Sequence, residues 1–430
     1  MKKAGFVLIL LLFSIFSYLY LGRNKENDLP VSREVDLLNR IIVVENQTEK
    51  DKNVIKQYFA AGMATSDFKN ALKFKSDFLS KTTSEYTNIN YNFEYALKYS
   101  EIEKIINQLN YSDAVRVEII GQSADKRNIY SLEIGFGEQI IMFESGIHAA
   151  EVANPMFIMK YLKDLVNDYE KGNQKVTELL NKIRIVCVPS VNPDGYEAAL
   201  FGVKHIKNKN LYISDKSAEI DFNFYKANAN GIDLNRNFPS QHGGLYYKKK
   251  KLSSSVSDKR SLGGYDYFPG ETLGSELETR SLIYWQHKYL YKAYAYIALH
   301  SAGQVIYAGK PNLSEKYNDN CLLLAKIVSN LNDYEIIGPL GEGVGEGDDG
   351  TATDFASEII SDFSFSDKTG RLAADAYENP KINEIQAIGI ITLETLPSYT
   401  FNMQTIKNEY YNKRLYWVFD ELIASYSQIK

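Results

Sequence analysis

The chain has 430 residues, of which 44% are hydrophobic, 24% charged and 13% aromatic, and its formal net charge is -5. This composition excludes a largely disordered chain and predicts a folded protein with a large core. The acidic balance, without a basic stripe interleaved with aromatics, gives no reason to expect nucleic acid as a partner. The two cysteines, Cys187 and Cys321, exclude a disulfide framework and a cysteine-based zinc module, and leave at most one disulfide.

Residues 1–22 predict a membrane anchor or a signal sequence. Two lysines precede a largely apolar stretch from Ala4 to Gly22, which is close to the ~20 residues that a bilayer-spanning helix needs. A cleaved signal has a shorter apolar core and a small-residue cleavage site, whereas this stretch ends in the Tyr-Leu-Tyr-Leu sequence at 18–21. We therefore expect a single-pass helix in the cell membrane with the rest of the chain outside the cytoplasm. Secretion after signal cleavage is the alternative.

Residues 23–90 are rich in Lys, Glu, Asn and Ser and contain short amphipathic patches, which predict a helical stalk or cap. From residue 91 to residue 430 the sequence predicts one domain in which helices and strands alternate. Several strands are apolar throughout, as in sheets that helices cover on both faces, so the predicted fold is α/β with a mixed, mainly parallel central sheet. The predicted helices are 93–109, 155–171, 276–290, 318–333 and 410–429, and the predicted strands are 114–123, 128–135, 139–148, 183–192 (leading into a Pro-Asp-Gly turn), 293–303 and 384–397.

Polar residues follow or end several of these strands. They include His148, Asn192, His300 and Glu394. Because ligands bind at the carboxyl edge of an open α/β sheet, these side chains are expected to meet there.

His148 and Glu151 are three residues apart after a strand, and His300 ends another strand. Two His and one Glu form an established ligand set for hydrolytic zinc, which keeps a fourth position for water. A His-x-x-Glu pair is weak evidence alone, and the other candidates for a third ligand, His205, His242 and His287, lie in loops or on a polar helix face. The equivalent strand-end positions of His148 and His300 favour a metal site, but chance placement stays open.

Glu394 ends the apolar run AIGIITLE (387–394) within the predicted strand 384–397, and it should reach the same edge of the sheet. A carboxylate beside a metal-bound water could serve as a general base. Taken alone, however, Glu394 is better explained as a solvent-facing residue at the rim of the sheet.

The segment 228–239 contains Asn235-Arg236-Asn237, two residues after Asp233. A planar guanidinium between two amides suits a substrate carboxylate, and Asp233 could accept the second ring N–H of a zinc-binding His. A helix turn with a surface Arg is the simpler explanation if the segment is considered alone.

Five segments in this order and spacing resemble the zinc carboxypeptidase family, which includes carboxypeptidases A and B. The resemblance covers about 300 residues and is closest to the bacterial branch that cleaves γ-D-glutamyl–diamino acid bonds in cell-wall peptides. The segments are GIHAAE, PSVNPDGYE, GIDLNRNFP, HSAGQVIY and ITLE.

The resemblance implies one zinc per chain held by His148, Glu151 and His300, with Glu394 as general base and then acid. It further implies Asp233 behind His148, and Asn235 and Arg236 on the substrate carboxylate. Lys226 matches a family cation that polarises the scissile carbonyl.

One family feature is missing from the sequence. Family members bring a Tyr from a loop shortly before the last strand, but the corresponding segment 341–355 has no Tyr. The prediction that the protein removes C-terminal residues, as conventional carboxypeptidases do, is therefore weaker. We interpret 341–355 as a lid over the substrate, with a plain loop as the alternative.

The predicted function is a zinc-dependent peptidase that cuts peptide bonds near a free carboxylate, with cell-wall stem peptides (muropeptides) as substrates and the membrane as a partner through the N-terminal helix. The alternatives are a general metallocarboxypeptidase for environmental peptides and an inactive relative that only binds peptide. A deacylase or amidase for non-peptide amides is a further alternative that this fold could support.

Overall fold

The computed structural model describes residues 77–81, 85–207, 223–238, 268–270, 274–310, 315–338, 350–357 and 389–416. The predicted anchor at 1–22 and most of the predicted stalk at 23–90 lie outside these ranges. Across the described ranges, no helix is both long and apolar enough to cross a membrane.

The described strands are β1 (Asp77–Phe78), β2 (Val115–Gln122), β3 (Asn128–Ile134), β4 (Gln139–Ser145), β5 (Ile183–Val188), β6 (Ala293–Ser301), β7 (Val305–Ala308), β8 (Glu335–Ile337) and β9 (Gly389–Thr395). They form one sheet with the order β1-β2-β3-β5-β4-β6-β9-β7-β8. Strand β1 belongs to the segment predicted as a stalk, and it pairs with β2.

The sheet is mixed, as predicted, but its parallel pairing is concentrated at the centre. Strands β5, β4, β6 and β9 run parallel to one another. On the β5 side of this group the pairs β1–β2, β2–β3 and β3–β5 are antiparallel. On the other side β7 is antiparallel to β9 and parallel to β8. The description "mainly parallel" therefore fits the four central strands and not the sheet as a whole.

The described helices are α1 (Tyr99–Leu109), α2 (Ala153–Glu170), α3 (Gln174–Lys182), α4 (Pro193–Phe201), α5 (Leu277–Tyr289), α6 (Glu315–Asn332) and α7 (Met403–Asn412). Helix α2 packs against β4 and β6, α5 against β2 and β3, and α6 against β7, β8 and β9. In β4 every residue from Ile140 to Ser145 is buried, as expected for a strand between two helical layers.

Four helices differ from the prediction. Helix α1 begins at Tyr99 and not at residue 93, and α3 was not predicted. The predicted Pro-Asp-Gly turn is the first turn of α4, because Pro193 occupies a position where a helix needs no N–H and the Asn192 side chain accepts from Gly195 N. Near the end of the described chain, α7 covers 403–412 and so precedes most of the predicted helix 410–429. Residues 417–429 of that helix lie outside the described ranges.

Cys187 and Cys321 are both buried and free, so they do not form the one disulfide that the sequence allowed.

Candidate metal centre

The candidate site lies at the carboxyl ends of the central parallel strands. His148 follows β4 by three residues, and His300 is the penultimate residue of β6. Glu394 lies in β9, where it is the direct register partner of His300. The strand-end positions read from the sequence therefore bring these side chains to one edge of the sheet.

A sharp turn after β4 carries the His148–Glu151 segment. Gly146 has φ of +63°, and a Cβ there would lie 2.8 Å from Pro155 Cγ, so the position favours glycine. Asn192 supports the turn, because its Nδ2 donates to Ile147 O at 3.2 Å and to Ala227 O at 3.1 Å. The turn is thus connected to the segment that contains Lys226.

His148, Glu151 and His300 are all buried, and one ligand atom from each lies within 4.8 Å of the other two. His148 Nδ1 is 2.6 Å from Glu151 Oε1, and His300 Nδ1 is 3.2 Å from Glu151 Oε2. Two imidazole nitrogens and a carboxylate are a donor set that zinc takes in hydrolytic sites. In the part of the chain that the structure describes, no other group of three His, Cys, Asp or Glu side chains is arranged to hold an ion.

Asp233 fixes the orientation of the His148 ring. His148 Nε2 lies 3.3 Å from Asp233 Oδ1, so Nδ1 is the nitrogen that faces Glu151. Asp233 is itself held, since it accepts from Asn235 N at 3.0 Å. A carboxylate behind an imidazole sets the tautomer and raises its basicity, which suits a metal ligand.

The buried charges of the site shift one another's pKa values. Burial disfavours the charged form of His148, but Glu151 and Asp233 together raise its pKa to about 9. Burial also opposes ionisation of Glu151, and the two His rings lower its pKa to about 2. Burial lowers the pKa of His300. Glu151 is therefore an anion positioned between two rings, which favours binding of a cation.

A cavity of about 220 Å³ opens beside the three residues. Glu394 and Lys226 line it, as do Asn235 and Arg236 from the 3-10 turn Leu234–Arg236. Asn235 and Arg236 are buried, and Arg236 Nη1 donates to Asn235 O at 2.8 Å. Every residue that the sequence singled out for the metal, the base and the substrate carboxylate thus lies at or beside one cavity, with Asp233 behind it.

The sequence profile of the zinc carboxypeptidase family matches residues 102–390, more than half of the chain. The chain belongs to the zinc carboxypeptidase family. The predicted resemblance is confirmed at the level of the family, and the predicted zinc is the metal for which the family is named.

Among relatives, the human carboxypeptidase N catalytic chain is 30% identical over 181 residues, 40% of this chain and 35% of that protein. The γ-D-glutamyl-L-diamino acid endopeptidase 1 of Lysinibacillus sphaericus is 27% identical over 231 residues, 52% of this chain and 54% of that protein. The chain thus matches about a third to a half of these relatives' lengths. Bovine thrombin-activatable fibrinolysis inhibitor, in complex with tick carboxypeptidase inhibitor, shares the fold, with a TM-score of 0.54, 20% identity, and coverage of 79% of this chain and 99% of that chain.

In this zinc carboxypeptidase chain, Tyr399 is a cavity residue that the sequence did not indicate. It follows β9 and lines the cavity, with Lys226 Nζ 6.0 Å from its ring centre. Burial and the Glu151 carboxylate raise the pKa of the Tyr399 phenol, so it is protonated at neutral pH. The segment 341–355 before the last strand has no Tyr, whereas Tyr399 reaches the cavity from the segment that follows that strand.

The cavity wall farther along β7 includes Lys310, Thr351 and Thr353. The sequence did not indicate Lys310, because it reaches the site from a loop after β7. Thr351 and Thr353 belong to the segment 341–355 that we interpreted as a lid, although neither residue was singled out. The rest of the predicted lid, 341–349, lies outside the described ranges.

Proposed function

We propose that this protein is a zinc-dependent peptidase that hydrolyses peptide bonds near a free carboxylate, with cell-wall stem peptides as its substrates. The observation that supports this best is the convergence of His148, Glu151 and His300 beside Glu394 in one cavity. Family membership supports the same reaction class.

His148, Glu151 and His300 would hold the ion. Zinc bound there supplies Lewis acidity and lowers the pKa of a bound water. Glu394 is half-buried on the adjacent strand and lines the same cavity. It would accept the proton of the attacking water and return it to the leaving amine.

Arg236 and Asn235 would bind the free carboxylate of the substrate. A guanidinium presents parallel N–H donors that match a carboxylate, and both residues lie at the cavity close to the metal ligands. Lys226 would donate to the oxygen on which negative charge develops. Burial opposes its charge, but the Glu151 and Asp233 carboxylates raise its pKa, so it stays protonated.

The choice of cell-wall peptides rests on two observations. One relative is named a γ-D-glutamyl-L-diamino acid endopeptidase, and its alignment covers 52% of this chain. The apolar stretch of residues 1–22, which we propose to be a membrane anchor, would keep the domain near the wall outside the cytoplasm, or release it there after cleavage. A general carboxypeptidase is the second candidate, favoured by the match to carboxypeptidase N.

The test is hydrolysis of two matched substrates by the zinc-loaded protein, with and without a chelator. One is a muropeptide with a γ-D-glutamyl–diamino acid bond, and the other is an ordinary peptide of equal length; products are identified by mass. We expect chelator-sensitive cleavage of the muropeptide. Cleavage of the ordinary peptide alone would favour the general carboxypeptidase, and bound zinc without cleavage of either would favour a peptide-binding protein.

A further inference from the structure

One wall of the cavity carries a lysine whose position is fixed from several sides. Lys310 lies two residues past β7, and its Nζ is 2.5 Å from Asp354 Oδ1. The Asp354 side chain is only 9% exposed, whereas that of Lys310 is 27% exposed and lines the cavity. The carboxylate therefore lies behind the ammonium, which is the part of the pair that a ligand can reach.

Hydrogen bonds also fix the backbone of Lys310. Lys310 N donates to Asn318 Oδ1 at 2.8 Å, and Asn318 Nδ2 donates back to Lys310 O at 3.0 Å. Asn318 belongs to α6, which packs on the sheet. Gly309, with φ of +82°, allows this approach, because a Cβ there would lie 2.6 Å from Asn318 Oδ1.

The partner carboxylate is fixed as well. Asp354 Oδ2 accepts from Thr351 N at 3.2 Å, and Asp354 N donates to Thr351 Oγ1 at 2.9 Å. Asp354 thus uses one oxygen for Lys310 and the other for the backbone. An ammonium has three N–H donors, so a ligand in the cavity meets donors that the Asp354 contact does not use.

The surroundings of Lys310 suit a polar ligand group. Thr351 and Thr353 line the same wall, with their hydroxyl oxygens 3.2 Å apart. Arg236 and Asn235 approach the cavity from the separate 3-10 turn Leu234–Arg236. The cavity therefore offers two separate sets of charged N–H donors, from Arg236 and from the ammonium of the Lys310–Asp354 pair, which match a ligand residue with two carboxylates.

We propose that Lys310, held in place by Asp354, is a specificity-determining residue that selects substrates whose terminal residue carries a second carboxylate on its side chain. This inference rests on the proposed function and narrows it. Among cell-wall stem peptides, the protein would select those that contain a diamino dicarboxylic acid over those in which lysine occupies the same position.

The experiment measures binding by calorimetry to the zinc-loaded Glu394→Gln protein, so that no probe is cleaved. Two pairs of dipeptide probes are used. In the γ-D-glutamyl pair the last residue is a diamino dicarboxylic acid or lysine, and in the α-linked pair it is glutamate or glutamine. We expect the probe with the side-chain carboxylate to bind at least about ten-fold more tightly in each pair, as a charge-assisted hydrogen bond implies.

Lys310→Met should abolish this preference, and the matched control Lys326→Met should keep it, because Lys326 is an exposed residue of α6 that does not line the cavity. Equal binding within both pairs, or a preference that survives Lys310→Met, would overturn the proposal. If Lys310→Met does not fold because Asp354 loses its partner, the double variant Lys310→Met/Asp354→Asn removes both charges and serves in its place.

The same probes separate this inference from the proposed function. A Lys310-dependent preference in the α-linked pair, together with no cleavage of the γ-D-glutamyl bond by the unmodified protein, would support the role of Lys310 and reject cell-wall peptides as substrates. Cleavage of that bond without any preference for the second carboxylate would reject the role of Lys310 alone.

Discussion

Glu394 is the proposed general base, so a change at this one side chain should separate zinc binding from hydrolysis. It lines the cavity but is not one of the three clustered ligand residues. Glu394→Gln keeps the shape of the side chain and removes its ability to accept a proton. We expect the hydrolysis rate to fall by roughly 10²- to 10⁴-fold, the usual contribution of a general base, while bound zinc stays at one per chain.

Rate assays and metal analysis of the same preparation check this prediction. The control is Glu335→Gln, which makes the same change at an exposed residue of β8 and should alter neither quantity. Substantial activity in Glu394→Gln would show that another group moves the proton.

Asp354 makes the stability of the protein depend on pH in the acid range. Burial opposes its ionisation, but Lys310 and the Thr351 contacts lower the pKa of this carboxyl below its ordinary value of 3.8. A carboxyl with a lowered pKa stabilises the fold above its ordinary pKa, and this contribution is lost as pH falls through the lowered value. We expect the stability difference between the unmodified protein and Asp354→Asn to be largest near neutral pH and to shrink below about pH 4.

Urea unfolding of both proteins from about pH 6 to about pH 2 measures that difference. Each protein serves as the other's control at every pH. A difference that stays constant over the series would mean that the pKa of Asp354 is the same in the folded and the unfolded protein.

The predictability of individual residues depended on their place in the chain. His148, His300 and Glu394 could be predicted because they end apolar strands, where a polar side chain stands out and the topology of the sheet brings strand ends together. Tyr399 and Lys310 could not be predicted. They follow β9 by four residues and β7 by two, and each reaches the cavity from a loop whose course depends on tertiary packing.

At the level of elements, long segments with a clear period were predictable and short ones were not. Helix α2 was bounded correctly by Pro155 near its start and by Gly172 past its end. Strands β7 and β8 have four and three residues and are only partly buried, so they show too little alternation to be recognised. Helix α4 was read as a turn because Pro-Asp-Gly suits both structures.

The first turn of α4 also packs against the segment that carries two of the proposed metal ligands. A Cβ on Gly195 would lie 2.7 Å from Ala149 Cβ, 2.7 Å from Ala227 O and 2.5 Å from Asn192 Nδ2. Ala149 is the residue after His148, so Gly195→Ala must displace the segment that carries two of the three ligand residues. We expect weaker zinc binding together with a loss of stability of about 1–3 kcal/mol, as overpacking usually costs.

Zinc titration and thermal unfolding measure both effects. The matched control is Gly172→Ala, where a new Cβ meets nothing within 4 Å. Its left-handed backbone (φ +76°) should lower stability by about 1 kcal/mol. Zinc affinity should not change in the control, and an equal loss of affinity in both variants would contradict the steric argument.

At the scale of the whole molecule, aromatic packing and a hydrogen bond bring together residues that are more than 300 positions apart in the sequence. Phe93 is 3% exposed, and its ring centre lies 6.0 Å from that of Phe157 in α2 and 5.1 Å from that of Tyr410 in α7. Close by, Tyr411 Oη donates to Asn92 Oδ1 at 2.5 Å. An aromatic cluster thus connects the segment before α1 to the helix after β9.

Phe93→Ala removes the side chain that contacts both Phe157 and Tyr410. We expect the free energy of unfolding to fall by about 3–5 kcal/mol, the usual range for a buried Phe. Chemical denaturation checks the value, with Leu323→Ala as control because Leu323 is a large hydrophobic residue that is 59% exposed. Similar losses in both variants would contradict a structural role for the cluster.

His300 and Glu394 are register partners in adjacent strands, so the sheet fixes their spacing while the chain between them can vary. The two residues are 94 positions apart in the sequence, yet backbone hydrogen bonds between adjacent parallel strands set their spacing. The chain between them includes β7, Lys310 and Thr351, which shape the far wall of the cavity. Insertions, deletions or grafted segments between β7 and β9 could therefore change which peptides are accepted while the reacting groups keep their geometry. The same arrangement makes that stretch the natural target for redesigning substrate preference.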